Sequence, residues 1–373
     1  MSTIMADDYV RIESIMRSIN ILYDADKPER IAHFHPTSKA NVLIEALFGL
    51  SNESTFLISA PYGSGKSLTA AYILHAVENN EYSKTVLKKI EKRIQNTNPK
   101  LGDFLFRRIN SNNKGIVIAL QGYTENISAA LKKGLEDSLQ RVGIDTFNVT
   151  FGYDFSNLEN ALNSIRSIST SLTNYDFDRI VLVWDEFGRH IETLLSEGNP
   201  SRLNEIQVIA EFASRFSNIP FTMGLLLHQS LLNYAGKSPQ SIKKEWKKIE
   251  GRFRPIQYID DSKEIYNLIA KIINEISSEQ ELFENEYVDA VIEEVKRIGV
   301  FSDCSEEELK ELFYNSYPVH PIALYLLPRI SSRVAQHERT LFTFINSLSF
   351  NGFVHVDDLF DYFSAAMSGD TSI

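Results

Sequence analysis

The stretch from Thr55 to Ala71 (Thr-Phe-Leu-Ile-Ser-Ala-Pro-Tyr-Gly-Ser-Gly-Lys-Ser-Leu-Thr-Ala-Ala) constrains this chain more than any other. A β-prone apolar run at Phe56, Leu57 and Ile58 gives way to small residues, and Gly63-Ser64-Gly65-Lys66-Ser67 opens a helical pattern. Strand, glycine loop, helix is the order a phosphate-binding loop (P-loop) requires. Glycines let backbone N–H groups turn inward around phosphate oxygens, and the helix N-terminus adds its partial positive charge. On this reading Ala60, Pro61, Tyr62, Gly63, Ser64, Gly65, Lys66, Ser67 and Leu68 are the ATP-binding residues. Lys66 is expected to reach the β- and γ-phosphates, and the Ser67 hydroxyl to ligate Mg²⁺. The strict pattern has glycine where this chain has Ala60, a departure of one methyl group at a strand end.

The second anchor is Asp178-Arg179-Ile180-Val181-Leu182-Val183-Trp184-Asp185-Glu186-Phe187-Gly188. A buried strand that delivers Asp-Glu at its carboxyl edge has the form of a Walker B element, and ligands of open α/β sheets bind outside those carboxyl ends. Asp185 is expected to hold Mg²⁺, and Glu186 to orient and polarise the attacking water. An apolar run ending in Asp-Glu is common by itself; the P-loop upstream is what makes the functional reading win.

Between and after these anchors, apolar strands alternate with helical periodicity, the pattern of an α/β sandwich. Helices are expected over Tyr9 to Tyr23, Ala40 to Phe48, Ser67 to Glu78, Ile127 to Val142, Leu158 to Leu172 and Leu203 to Phe216. Lys114 to Leu120 and Phe221 to Leu227 read as buried strands, and Phe147 to Phe155 as an aromatic, β-prone segment. His33, Phe34 and His35, just ahead of the P-loop, are candidates to line an adenine pocket or simply to pack on the sheet edge. Lys84, Lys88, Lys89, Lys92 and Arg93 share a helix with Val86, Leu87, Ile90 and Ile94, which reads as a solvated amphipathic face more readily than as a phosphate site.

The strand Phe221 to Leu227 ends in His228-Gln229. A polar side chain there can sit between the Walker residues and sense the γ-phosphate, and the chemistry does not choose between His228 and Gln229. Farther on, Gly251-Arg252-Phe253-Arg254 precedes a short fifth strand, Ile256 to Ile259. Arginines at that position suit an arginine finger acting on a neighbouring subunit's γ-phosphate, with Arg252 first and Arg254 as the fallback. A solvated helix or a patch for acidic partners explains the preceding lysines better than it explains the arginines. From Asp261 the pattern is wholly helical, and Ser305 with Glu308 has the spacing of a capping box.

Composition narrows the function classes. A net charge of −11 excludes a uniformly basic nucleic-acid surface but not a local patch. The single Cys304 excludes an intramolecular disulfide and fits a reducing compartment. Neither a signal-peptide pattern nor a run of membrane-spanning length is visible, so the expected location is the cytoplasm.

Together the P-loop, the Asp-Glu strand end, Gly-Arg-Phe before the fifth strand and the helical region after it resemble an AAA+ ATPase. More narrowly, Ala-Pro-Tyr-Gly-Ser-Gly-Lys-Ser, Trp-Asp-Glu-Phe-Gly and Tyr-Pro-Val-His-Pro…Leu-Pro-Arg…Glu-Arg-Thr-Leu-Phe-Thr-Phe are similar to the large P-loop ATPases of BREX-type bacterial phage-defence systems. The resemblance runs from about Ile31 to Phe363, and its last motif is the most specific. It implies an AAA+-like three-layer α/β sandwich with a mainly parallel sheet, followed by an all-helical lid. The expected organisation is an N-terminal, adenine-side segment (1–54), a P-loop core (55–260), the lid (261–350) and a tail or the start of a further domain (351–373). The implied activity is ATP hydrolysis with Mg²⁺, switching or remodelling an assembly in anti-phage defence. The implied partners are copies of the chain or other defence proteins, with DNA a further candidate and no membrane. A slow, nucleotide-gated switch of the STAND type is the alternative. The relatives are much longer chains, so either this is an N-terminal module or this member dispenses with the rest.

Overall fold

Aliphatic runs without polar interruption become the central strands, because a parallel strand covered by helices on both faces has no solvent side. The computed structural model describes residues 19–61, 64–216, 218–236, 239–258, 262–276, 285–334, 338–348 and 353–368. Among these, five strands form one sheet: β1 (Thr55–Ser59), β2 (Lys114–Gln121), β3 (Phe177–Asp185), β4 (Phe221–Leu227) and β5 (Arg254–Gln257). Their spatial order is β2-β3-β4-β1-β5, and every pairing is parallel. The P-loop strand β1 therefore lies inside the sheet, one strand away from the Walker B strand β3.

Alternate residues of each strand feed two separate cores, as a period of two requires. On one face, Ile118, Leu182, Trp184 and Leu225 pack under α5 (Ile127–Arg141), α7 (Leu158–Leu172), α8 (Phe187–Ser196), α9 (Asn204–Ser214) and α11 (Gln240–Glu250). On the other, Phe56, Ile58, Val117, Val183 and Leu226 pack under α1 (Ser38–Leu47), α2 (Lys66–Glu78), α3 (Lys84–Thr97) and α4 (Pro99–Asn110). The result is a three-layer α/β sandwich of the P-loop NTPase class.

Several local expectations need correction. Phe147 to Phe155 contains no strand: Asp145 caps the short helix α6 (Thr146–Thr150) by accepting from Phe147 N and Asn148 N. Phe147 and Phe151 are 66% and 72% exposed, so β-propensity has no sheet to satisfy there. The N-terminal helical pattern does not run through to Tyr23. Residues 1–18 lie outside the described part, and Asn20 Oδ1 accepts from Leu22 N and Tyr23 N, a turn rather than a helix. The fifth strand begins earlier than expected, at Arg254, and Ile259 lies outside the described residues. The stretch Leu203 to Phe216 is shorter as α9 and is preceded by a 3₁₀ turn at Pro200–Leu203; α10 (Leu231–Tyr234) is one turn long.

The chain divides into two compact units, the sandwich just described and a C-terminal helical unit that includes the described residues from 262 onward. The helical unit holds α12 (Ser262–Ile276), α13 (Asn285–Ile298), α14 (Glu306–Asn315), α15 (Pro321–Val334), α16 (Glu338–Ser347) and α17 (Val356–Ser368). It has its own core, with Ile269, Ile273, Leu312, Leu324 and Phe363 buried. Ser305 and Glu308 form the expected capping box at the start of α14. Arg329, a basic residue of α15, lies 3.6 Å over the Tyr325 ring and bonds the Tyr266 hydroxyl, so its guanidinium is held within this unit.

Candidate functional site

Three strand carboxyl ends, those of β1, β3 and β4, carry the P-loop, Asp185-Glu186 and His228-Gln229. Gly65 caps α2 with φ +79°, a left-handed conformation that a side chain would strain, and its missing Cβ opens toward the Tyr258 hydroxyl 3.9 Å away. Tyr62 and Gly63 lie outside the described residues, and Ser64 stands in a bend before Gly65.

Lys66, only 5% exposed, points back along the loop: its Nζ donates to the carbonyls of Ala60 and Pro61 at 2.8 and 2.7 Å. The ammonium is thus buried on the carboxyl side of β1, beside the loop. Ser67, the next residue, stands near enough to Asp185 for its hydroxyl to pull that carboxyl's pKa down. Leu68 is partly buried against the α1–α4 core.

Asp185 is 2% exposed at the end of β3. Burial pushes its carboxyl up from the ordinary range, against the pull of the Ser67 hydroxyl, the Glu186 N–H at 2.8 Å and the Lys66 charge. A buried carboxylate beside a serine hydroxyl is the oxygen donor pair that suits Mg²⁺, and a divalent cation would reverse the burial penalty. These residues therefore fit the ion.

Glu186 adopts a left-handed backbone (φ 50°, ψ 35°) and serves as the cap of α8. For a side chain larger than glycine this is uncommon, and such conformations gather at working sites. The surrounding motif is explained by packing. Trp184 is fully buried and donates Nε1 to the Gly122 carbonyl at 2.9 Å, Phe187 meets its ring edge-on, and at Gly188 the Tyr234 hydroxyl occupies the place of a Cβ. The Glu186 carboxylate is paired with Arg189, Nε to Oε2, at 3.2 Å. An open cleft of about 600 Å³ lies beside this pair, walled by Gln121, Gly122 and Tyr123 at the end of β2.

His228 is half-buried after β4, while Gln229 is exposed. Burial, then the charges of Lys66 and Arg189, push the His228 imidazole down to about 4, so it is neutral at physiological pH. The P-loop lysine therefore acts on the His228 side chain.

Arg252 and Arg254 are not part of this cluster. Thr55, at the start of β1, donates its hydroxyl to the Arg252 carbonyl at 2.6 Å, and Arg254 is in register with Phe56. Both lie at the amino edge of the sheet, since the strand from Phe56 to Ser59 spans roughly 10 Å toward the P-loop. Arg252 is 47% exposed and pairs with Glu211 of α9 at 3.0 Å. Arg254 is exposed on the edge strand.

The segment before α1 packs inward. Phe34 is 4% exposed and meets Tyr72 of α2 at 5.3 Å, while Arg93 holds the carbonyls of Ala32 and Phe34. Phe34 therefore takes the packing role, His33 and His35 remain partly exposed beside it, and Arg93 clamps the backbone.

Two residues with no motif of their own join the site: Arg189, and Tyr258, whose hydroxyl lies 2.8 Å from that of Thr69 in α2. Tyr258 lies within the expected fifth strand and directly after the observed one, and its aromatic type there is the sequence signal it offers.

No protein-family model matches the chain, and no curated protein does. Among solved structures it is similar to the Aeropyrum pernix ORC1 protein in complex with DNA, at 10% identity and a TM-score of 0.37, covering 92% of this chain and 68% of that one. It is also similar to the Aeropyrum pernix ORC2 protein in ADPNP–ADP complexes, at 13% identity and a TM-score of 0.35, covering 91% and 89%. The fold class rests on the strand order and the loop-to-helix geometry of the chain itself.

Proposed function

We propose that this chain is an ATPase that uses Mg-ATP hydrolysis to switch or remodel an assembly. The observation that carries the reading is the buried Asp185 carboxylate at the end of β3 and the buried Lys66 ammonium held against the end of β1, with the Ser67 hydroxyl and the Lys66 charge both acting on Asp185. That set brings a cation for phosphate and two oxygen donors for Mg²⁺ to the carboxyl edge of the sheet.

In this scheme Lys66 binds the β/γ-phosphates, and Ser67 and Asp185 hold the metal. Mg²⁺, when bound, neutralises charge on the phosphate oxygens. Glu186 orients the attacking water, and neutral His228 offers a ring nitrogen near Lys66 as the sensor. Arg252, or Arg254 in its place, serves a neighbouring copy's site. On the resemblance of the motifs, the proposed setting is bacterial anti-phage defence in the cytoplasm, with copies of the chain or other defence proteins as partners and duplex DNA as a further candidate.

A second reading, a slow nucleotide-gated switch acting through partner contact, is favoured by one observation: the Glu186 carboxylate is already paired with Arg189. Turnover measured against protein concentration, with and without duplex DNA, tests both. Mg-dependent turnover that rises with concentration supports the ATPase. Tight nucleotide binding with no turnover supports the switch, and no binding overturns both.

A further inference from the structure

Arg189 stands in the first turn of α8, where a cation opposes the helix dipole. Its neighbours explain the placement. Its guanidinium pairs with Glu186 after β3, its charge reaches His228 after β4, and its Cδ is 3.9 Å from where a Cβ on Gly122 would stand after β2. One flexible cation thus reaches three strand ends. Its exposure differs from that of Lys66: the Arg189 side chain is 62% exposed and Lys66 only 5%. An ion pair that exposed is weak and readily exchanged.

We infer that Arg189 is a positioning residue that senses the terminal phosphate of ATP: it holds the Glu186 carboxylate and leaves it for that phosphate. The inference rests on the ATPase reading. A terminal phosphate offers more negative charge than one carboxylate, and a guanidinium can bond it through two N–H groups at once. ADP lacks the group that draws the arginine away. The exchange would release Glu186 for water at the moment hydrolysable nucleotide is present.

The test is a set of calorimetric titrations of the full chain with Mg-ATP and Mg-ADP. Arg189→Ala should weaken ATP about tenfold, as loss of a hydrogen bond to a charged group does, and leave ADP unchanged. Arg189→Lys should recover part of the difference. Glu186→Gln, which removes the competing carboxylate, should tighten ATP about two- to fivefold, given the strength of such pairs. In the Arg189→Ala background the same change should tighten ATP clearly less, a coupling that a purely structural role of Arg189 would not produce and whose absence would count against the exchange. An ATP-to-ADP ratio untouched by Arg189→Ala, in a chain whose binding Lys66→Ala abolishes, overturns this inference alone. Wild-type chain that binds neither nucleotide overturns the ATPase reading, and this inference with it.

Discussion

The hydroxyls of Tyr258 and Thr69 lie 2.8 Å apart, joining the end of edge strand β5 to the P-loop helix. Thr69 also donates to the Gly65 carbonyl at 3.1 Å, and Tyr258 N donates to Ser59 O at 2.9 Å. The first turn of α2 and the last residue of β1 are thereby held by one tyrosine, which is 2% exposed. Tyr258→Phe keeps the ring and loses this bond, so urea unfolding should show a loss of about 1 kcal/mol. Unchanged stability would mean the contact is incidental.

Lys66→Ala should abolish Mg-ATP binding, because it removes the buried cation beside the loop. The ammonium donates to two main-chain carbonyls and its charge also reaches the buried Asp185 carboxylate, so a urea titration of the variant checks that the fold persists. Unchanged affinity by calorimetry would remove the P-loop assignment.

Glu186→Gln should retain ATP and lower turnover by about 10²-fold or more, the usual scale of a lost general base. The amide keeps the shape of the side chain but cannot polarise water. Hydrolysis at the wild-type rate would place the catalytic carboxylate elsewhere.

Stability should fall as pH drops from 6.5 toward 4. His75 and His190 are both fully buried, and burial first, then Arg141 beside His75 and Arg202 near His190, pushes each imidazole down to about 4. The sign follows from linkage. Between 4 and 6.5 the unfolded chain binds the protons and the folded one does not, so folding weakens as pH falls through that window. Each histidine accounts for up to about 3 kcal/mol across it. A urea midpoint that is flat between pH 7 and 5, above most carboxylate titration, would contradict this.

Much of the fold was legible because its signals are local. Ile116 to Leu120 and Ile180 to Trp184 are apolar without a break, which only doubly covered strands tolerate, and Gly63 to Ser67 states its loop outright. What escaped depends on distant contacts. Tyr258 meets Thr69 across 189 positions of sequence, a meeting set by the β1–β5 register. Arg189 belongs to no motif and becomes visible only when three strand ends converge on it. Phe147 to Phe155 misled because aromatic residues favour strands only where a sheet receives them, and Asp145 caps a helix there instead.

Arg252 decides between the hydrolysing machine and the slow switch. Its carbonyl is tied to Thr55 at the amino edge of the sheet, and its guanidinium pairs with Glu211, so it stands away from its own chain's P-loop. An arginine there can serve as a finger only for another copy, which makes a lone protomer slow. Turnover per chain should then rise with concentration, and Arg252→Ala should lower kcat by about 10³-fold or more with ATP affinity nearly intact. Glu211→Gln should leave that finger in place while removing its weak, exposed tether, so its turnover should equal or exceed wild type. Mixing Arg252→Ala with Lys66→Ala should restore part of the activity, the first supplying the ATP site and the second the arginine. Arg254→Ala, on the exposed edge strand, is the control for which of the two arginines acts. Concentration-independent turnover, with both arginine variants fully active, would assign the charge-stabilising role to a residue of the same chain and leave Arg252 as a surface partner of Glu211.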